Sequence, residues 1–199
     1  MSRTEWIAVQ WGTSTLRAWV VDYNGQVFRN LKTTCDTAAF KPSDFETTLL
    51  KFIKPFLDHN NVTPVLCCGM VGNKQGWEEA KSRGVPCQTG GIVDVHCVST
   101  IDKRLEVVIL PGLAQASPAD TMHGEETQIA GYLKTDPNFF GTICLPGAHT
   151  KWAQISVNEV VSFRTFLTGE MFELLTKHST LRFNLKINSW DNVEFLDAV

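Results

Sequence analysis

The sequence predicts an α/β fold in which one structural unit, three strands joined by two turns and followed by a helix, occurs twice. The first observation is a set of short apolar runs separated by small-residue turns, near residue 12 and again near residue 147. The second is a helical pattern of apolar residues after each third run. With 199 residues, of which 43% are hydrophobic, the chain is long and apolar enough to form a folded core.

The first unit begins with apolar runs at 6–9 and 16–21, and a third strand is expected at 26–33. Asn24-Gly25 lies between the second and third, and this pair strongly favours a tight hairpin turn. A helix is then expected to begin at Ser43, because Glu46 stands three residues later as in a capping box. Its apolar face would comprise Phe45, Leu49, Phe52, Ile53, Phe56 and Leu57, and Pro55 would kink or end it.

The middle of the chain predicts a strand at 64–68, a long irregular segment at 69–100, a strand at 106–110 and a helix at 125–133. Long irregular loops inside compact domains are often functional. Asp136-Pro137-Asn138 breaks the pattern. We therefore expect a domain boundary there, with a first domain at 1–135 and a second at 136–199.

The second unit repeats the order of the first without notable sequence identity. Strands are expected at 142–145, 152–157 and 160–166, followed by a helix at 169–178. That helix carries an apolar face made of Met171, Leu174, Leu175 and His178. The second domain is thus expected to be incomplete.

Both units have turns with the composition of a phosphate site. Gly12-Thr13-Ser14 and Gly147-Ala148-His149-Thr150-Lys151 offer close backbone approach, consecutive N–H groups, hydroxyls and, in the second turn, a cation. Ordinary β-turns use the same residue types, so the alternative is a purely structural role.

Two further motifs have both a functional and a structural interpretation. Glu125 and Glu126 open the predicted helix, either as a general base or Mg²⁺ contact, or only as acids favoured by the helix dipole. The glycine-rich segment 69–77 suits a polar small-ligand loop, or else a surface loop with Trp77 in the core.

Composition excludes some classes of partner. The formal net charge of −3 leaves no basic excess for nucleic acid or an anionic membrane. No segment is long and apolar enough to span a bilayer, and the polar start lacks the apolar stretch of a signal peptide. The six cysteines form no Cys-x-x-Cys pair, so we expect reduced, buried thiols in a cytoplasmic protein.

In combination, these motifs resemble the 2-dehydro-3-deoxygalactonokinases, sugar-acid kinases of the actin, hexokinase and heat-shock-protein ATPase superfamily. The resemblance covers nearly the whole chain, and its most distinctive stretches are Cys68-Gly69-Met70-Val71-Gly72, Met122-His123-Gly124-Glu125-Glu126-Thr127-Gln128 and Leu145-Pro146-Gly147-Ala148-His149-Thr150-Lys151-Trp152. It implies two RNase H-like domains, the second only begun here. It also implies ATP-dependent phosphorylation of 2-dehydro-3-deoxy-D-galactonate at its terminal hydroxyl, during galactonate breakdown.

The resemblance also implies roles for particular residues. ATP, with Mg²⁺, would be held through its phosphates by Gly12, Thr13, Ser14, Arg17, Gly147, His149, Thr150 and Lys151. Either Arg17 or Lys151 could instead neutralise the substrate carboxylate. The base for the sugar hydroxyl would be Glu125 or Glu126, with Glu125 favoured. Met70, Gly72 and Trp77 would lie toward the sugar acid.

Three residues depart from the family pattern. Gln10 stands where the family has the Asp of the Mg²⁺ site, Ala148 where Thr is common, and His123 where Arg stands. Family members also continue further, through an adenosine-binding glycine motif. We therefore keep the alternative of a truncated, weakly active or inactive homologue that acts as a binding protein. Separately, an uncovered second domain would favour self-association into a homo-oligomer. An actin-like or chaperone ATPase is disfavoured by the Gly-Met-Val-Gly loop and the second turn.

Overall fold

The computed structural model describes residues 4–58 and 60–183, together with Val193 and Leu196. Most of the C-terminal part of the predicted second domain, beyond residue 183, and the polar start at 1–3 lie outside the described residues.

Within residues 4–58 and 60–183, the secondary structure consists of strands in three sheets, three α-helices and short 3₁₀ segments. The strands are β1 (Thr4–Trp11), β2 (Thr15–Asp22), β3 (Val27–Thr34), β4 (Thr63–Gly69), β5 (Arg83–Gly84), β6 (Cys87–Gln88), β7 (His96–Val98), β8 (Leu105–Ile109), β9 (Leu113–Ala116), β10 (Ala119–Met122), β11 (Gly141–Leu145), β12 (Thr150–Ser156) and β13 (Glu159–Phe166). The helices are α1 (Pro42–Ile53), α2 (Glu125–Thr135) and α3 (Thr168–His178). The mixed α/β class predicted from the sequence is confirmed.

The first sheet has six strands in the order β3-β2-β1-β4-β8-β7. β1 pairs antiparallel with β2 and parallel with β4, where Trp11 stands opposite Gly69. β4 pairs parallel with β8. The carboxyl ends of these parallel strands therefore meet at one edge of the sheet, which is where ligands bind in open α/β sheets.

Two hydrophobic cores form, one on each larger sheet. The first combines the alternating inward residues of β1, β2, β4 and β8 with Phe45, Leu49 and Ile53 of α1. The second sheet has the order β11-β12-β13-β6, and its core contains Ala153, Ile155, Val160 and Phe163.

Helix α2 packs in the second core, through Ile129 and Leu133. Leu113 and Met122, from the hairpin of β9 and β10, join the same cluster. Packing alone would therefore group this hairpin and α2 with the second sheet, although both precede the expected boundary. The division into 1–135 and 136–199 stays a prediction.

The strands predicted in both units are confirmed, with ends that differ by a few residues. The hairpin of β9 and β10 was missed, because its four-residue strands contain polar residues and lie beyond the break at Pro111-Gly112. The segment 69–100 is largely irregular, as expected, but contributes short strands to all three sheets.

The predicted capping box of α1 is wrong. The helix begins at Pro42, and the Asp44 carboxylate accepts a hydrogen bond of 2.8 Å from the Lys41 N–H. Glu46 is buried and accepts hydrogen bonds from the N–H groups of Ile101 and Asp102, at 3.0 and 2.7 Å. The contact of Glu46 with this distant segment therefore replaces the capping role that the local sequence pattern predicted. The helix ends before Pro55, as predicted.

The predicted apolar face of α3 exists in the sequence but is exposed to solvent. Met171, Leu174 and Leu175 are 55%, 50% and 44% exposed, and no residue of α3 is buried. The expectation of buried thiols is correct for Cys35, Cys67 and Cys68 and wrong for Cys97 and Cys144, which are exposed.

Within residues 4–58 and 60–183, no helix combines the length and apolar character needed to cross a membrane.

The aromatic cluster around Phe45 allows a test of the first core. Phe45 is fully buried, and its ring centroid lies 5.1 Å from that of Trp11 and 5.3 Å from that of Phe40. Phe45→Ala should lower the free energy of unfolding by about 3–5 kcal/mol, measured by urea denaturation. Phe140→Ala is the matched control, since Phe140 is 75% exposed. Equal losses in the two variants would contradict the assignment of this core.

Candidate active site

A cleft of about 660 Å³ opens beside the carboxyl ends of β1 and β4. Four segments line it: the turn between β1 and β2, the loop after β4, the turn before α2 and the turn between β11 and β12. Of the predicted site residues, the cleft lining contains Gln10, Gly12, Thr13, Met70, Gly72, Glu125, Gly147, His149 and Lys151. Ser14, Arg17, Trp77, Glu126 and Thr150 are not among the residues that line it.

The first glycine turn is held by backbone and side-chain hydrogen bonds. The Gly12 N–H donates to the Thr15 carbonyl at 2.8 Å, and the Thr37 hydroxyl donates to the Gly12 carbonyl at 2.8 Å. The Thr37 N–H donates to the Thr13 carbonyl at 3.0 Å. These hydrogen bonds therefore fix the conformation of the turn, in which Gly12 and Thr13 face the cleft.

Two glycines bring the turn before α2 against the end of the first sheet. Gly69 has φ +98°, and a Cβ there would lie 2.1 Å from the Trp11 carbonyl oxygen. Gly124 has φ +108°, and a Cβ there would lie 3.1 Å from the Gly69 Cα. Only glycine permits this backbone approach, since both the contact and the positive φ exclude other side chains.

Glu125 lies directly after this contact and lines the cleft. Its carboxylate accepts a hydrogen bond of 3.0 Å from the His123 N–H. Burial raises the pKa of Glu125 above its ordinary value, and the hydrogen bonds and the Lys151 charge act in the opposite direction. A half-buried, partly desolvated carboxylate with a raised pKa suits a general base.

Glu126, the neighbouring residue, lines a different cavity of about 610 Å³. Its carboxylate accepts the Gly124 N–H at 2.7 and 2.8 Å, which places it at the start of α2. Burial raises its pKa to about 8. The structure thus separates the two glutamates and places only Glu125 on the cleft.

The second glycine turn is packed against the start of α3. The N–H groups of Gly169 and Glu170 donate to the carbonyls of Gly147 and Ala148, at 3.2 and 3.1 Å. A Cβ at residue 169 would lie 2.6 Å from the Gly147 oxygen, so this approach also needs glycine.

Side chains of the same turn also contact α3. The hydroxyls of Thr150 and Thr168 are hydrogen-bonded to each other, and the His149 ring is hydrogen-bonded to the Glu170 carboxylate. Thr150 is buried and has a structural role in the turn, whereas Gly147 and His149 face the cleft.

Lys151 is buried in the wall of the cleft, with only 5% of its surface exposed. Its ammonium group donates to the Thr121 carbonyl and to the Thr165 hydroxyl, both at 2.6 Å. Asp120 lies 3.7 Å from Nζ and also lines the cleft. The sequence analysis missed Asp120 and Thr165. The one signal for Asp120 was the polar Asp120-Thr121 pair just before the Met122-to-Gln128 motif.

The loop after β4 faces the cleft through Met70, Gly72 and the polar residues Asn73, Lys74 and Gln75. Trp77 does not reach it. The Trp77 ring is buried and stacks on Phe45, with ring centroids 6.2 Å apart. The structure thus supports the alternative in which Trp77 belongs to the core.

Gln10 lines the cleft but supplies no charge. Among the described residues, no group of three or more His, Cys, Asp or Glu side chains could hold a metal ion. Mg²⁺ bound with a nucleotide needs only one or two protein oxygens, because phosphate and water supply the others. The residues present therefore fit a metal that arrives with phosphate, rather than a resident metal centre.

His123, at the same wall, has surroundings that favour its neutral form. Burial, and then the nearby Lys151 charge, lower the pKa of His123 below its ordinary value. Lys151 also faces the cleft, and its charge acts on Glu125.

The fold and the cleft together define a mixed α/β protein with two sheet-based cores and a polar ligand cleft built from glycine turns. More specifically, the chain belongs to the 2-keto-3-deoxy-galactonokinase family, whose model matches residues 10–199.

The relatives agree with this membership. A protein of Rhizobium meliloti (strain 1021), provisionally named as a 2-dehydro-3-deoxygalactonokinase, is 32% identical over 176 residues, covering 87% of this chain and 57% of its own. The 2-dehydro-3-deoxygalactonokinase of Escherichia coli (strain K12) is 30% identical over 184 residues, with 88% and 58% covered. A crystal structure from Sinorhizobium meliloti, provisionally named as the same kinase, superposes with a TM-score of 0.80 at 30% identity, covering 92% of this chain and 60% of that one. The chain spans less than two thirds of the length of each.

The raised pKa of Glu126 makes stability depend on pH. The folded state binds this proton more tightly than the unfolded state, so the free energy of unfolding should fall as the pH rises from 4.5 to about 8. Glu126→Gln keeps an oxygen for the Gly124 N–H and removes the charge. The melting temperature of this variant relative to the parent should therefore be higher at about pH 9 than at about pH 5.

The exposed Glu106, changed to Gln, is the control for this measurement and should show no such trend. A difference between Glu126→Gln and the parent that stays constant across this pH range would contradict the burial of the Glu126 charge.

Proposed function

We propose that this chain carries the phosphate and sugar-acid part of a 2-dehydro-3-deoxygalactonokinase, which transfers a phosphoryl group from ATP to 2-dehydro-3-deoxy-D-galactonate and forms its 6-phosphate. The observation that carries the proposal is the composition of the cleft. Two glycine turns, the buried Lys151 and the half-buried Glu125 face the same space of about 660 Å³. Phosphoryl transfer depends mainly on positioning and charge stabilisation, and these residue types supply both.

In this proposal Glu125 accepts the proton of the terminal hydroxyl of the sugar acid as the oxygen attacks the γ-phosphorus. Burial raises the pKa of Glu125, which makes its carboxylate a better proton acceptor than that of an exposed glutamate. The adjacent Gly69–Gly124 contact fixes the start of α2 and hence the direction in which this carboxylate points.

The two turns and Lys151 hold the phosphates of ATP. Gly12 and Gly147 let the backbone of each turn approach the phosphates, and the Thr13 N–H is a donor of the type that phosphate oxygens need. Lys151 adds a positive charge in a poorly solvated wall. Mg²⁺ enters with ATP as part of the substrate and neutralises phosphate charge.

The loop from Met70 to Gln75 faces the sugar acid. Its backbone and the Asn73, Lys74 and Gln75 side chains offer polar contacts to hydroxyl and carboxylate groups. A sugar acid and ATP are thus the proposed partners, and the cytoplasm is the compartment that provides ATP.

The proposal includes RNase H-like topology for the first domain. Its support is the strand order β3-β2-β1-β4-β8, with the first three strands antiparallel and the following pairs parallel. The antiparallel run of β11, β12 and β13 repeats the beginning of that order.

A weakly active or inactive homologue that binds the sugar acid or a protein is the second candidate. Two observations favour it: the uncharged Gln10 in the cleft and the exposed apolar face of α3.

Release of ADP by the purified chain with ATP, Mg²⁺ and the sugar acid tests the proposal. We expect release that depends on the sugar acid and falls by about 10²–10⁴-fold in Glu125→Gln, because the base is lost. Glu106→Gln, on the exposed face of β8, is the control and should keep the parental rate. No release beside an active full-length family member would favour the binding protein.

A Gln10→Asp variant separates a weak kinase from a binding protein. A carboxylate at the end of β1 would add a hard oxygen ligand and a negative charge for Mg²⁺ beside the cleft. For a weak kinase we expect higher sugar-dependent ADP release and a lower Mg²⁺ requirement. An unchanged rate would show that another feature limits activity.

A further inference from the structure

Lys151 is a buried cation, and its surroundings determine where its charge can act. An ammonium group has three N–H donors and no acceptor, so burial is tolerable only if acceptors surround it. Two donors are used by the Thr121 carbonyl and the Thr165 hydroxyl, both at 2.6 Å. The third N–H therefore remains for an acceptor in the cleft that this side chain lines.

The Thr165 hydroxyl links Lys151 to Asp120 in a fixed direction. Because the ammonium group can only donate, the hydroxyl oxygen accepts from Lys151 and its single proton goes to Asp120. The two carboxylate oxygens lie 2.7 and 2.8 Å from that hydroxyl. Asp120 itself is 3.7 Å from Nζ, which is within ion-pair range but beyond a hydrogen bond.

The Asp120 carboxylate is also fixed by its own backbone. Its Oδ1 accepts the Thr121 N–H at 2.8 Å, and its side chain is 17% exposed. Three strands meet here, since Asp120 and Thr121 belong to β10, Lys151 to β12 and Thr165 to β13. Thr121 stands only two residues before His123, whose N–H binds the Glu125 carboxylate.

We infer that Asp120, acting through the Thr165 hydroxyl, is a positioning residue that holds the Lys151 ammonium group with one N–H directed at a phosphate oxygen in the cleft. The inference rests on the proposed function for the identity of the ligand. The hydrogen-bond chain from Lys151 to Thr165 to Asp120 stands independently of it. An exposed lysine would lose this direction to rotamer freedom, whereas the buried chain keeps it in the absence of ligand.

The ammonium group can be observed directly by ¹H–¹⁵N NMR of the lysine side chains. A buried, hydrogen-bonded ammonium exchanges slowly with water, so Lys151 should give a resolved signal that Lys151→Met removes. We expect Thr165→Val to abolish it and Thr165→Ser to retain it. Thr142→Val, at an exposed threonine of β11, is the matched control and should leave it unchanged. A Lys151 signal that is missing in the parent, or that survives in Thr165→Val, would overturn the hydrogen-bond chain.

Binding of inorganic tripolyphosphate, measured by calorimetry, tests the role toward phosphate. Thr165→Val should weaken binding about tenfold, and should have no further effect when Lys151 is already Met. Asp120→Ala separates positioning from simple electrostatics. Removal of a negative charge alone would tighten anion binding, whereas loss of positioning weakens it. Tighter binding by Asp120→Ala, or additive losses in the double variant, would overturn the inference.

The NMR and tripolyphosphate-binding measurements distinguish failure of this inference from failure of the proposed function. A parent that does not bind tripolyphosphate, but shows the Lys151 signal and its loss in Thr165→Val, would refute the phosphate role in both proposals and leave the hydrogen-bond chain confirmed. Normal tripolyphosphate binding by Thr165→Val would refute positioning and leave the kinase proposal intact.

Discussion

The geometry of the cleft depends on a backbone contact that only glycine allows. At residue 69 a Cβ would lie 2.1 Å from the Trp11 carbonyl oxygen, and Gly124 packs its own backbone directly on Gly69. Both residues have positive φ, so any side chain would be strained as well as blocked. Through this contact the start of α2 lies at the end of the central strand β1. The first glycine turn and the Glu125 carboxylate therefore face one space, although they are more than 100 residues apart in sequence.

Burial then gives neighbouring ionisable groups different properties. Glu125 and Glu126 are adjacent in sequence, yet Glu125 lines the cleft, whereas Glu126 binds the Gly124 N–H and lines a different cavity. Lys151 keeps its charge inside the wall because a carbonyl, a hydroxyl and a nearby carboxylate compensate it. A poorly solvated wall of this kind strengthens the interaction of its charges with a ligand, because less water screens them.

Local patterns in the sequence were sufficient for most strands and for both glycine turns, because alternation and turn chemistry act over a few residues. They failed where contacts between segments distant in sequence determine the structure. Glu46 looked like part of a helix cap, but it binds backbone N–H groups near residue 101. Asp120 and Thr165 are 45 residues apart. Pairing of β12 with β13 brings Thr165 to Lys151, and contact of β10, from a different sheet, with β13 brings Asp120 there. No periodicity could have indicated that the apolar face of α3 is exposed.

The anchoring of α2 in the second core has a mechanical consequence. Ile129 and Leu133 fix this helix to the same cluster as Ala153 and Ile155, which follow Lys151 along β12. If the two cores rotate as rigid bodies, Glu125 and Lys151 therefore move together with the second core. Gly12 and Met70 move with the first core. Such a rotation would change the width of the cleft and leave the spacing of base and cation constant. Glycines 69 and 124 are a point where the backbones of the two moving parts are in contact.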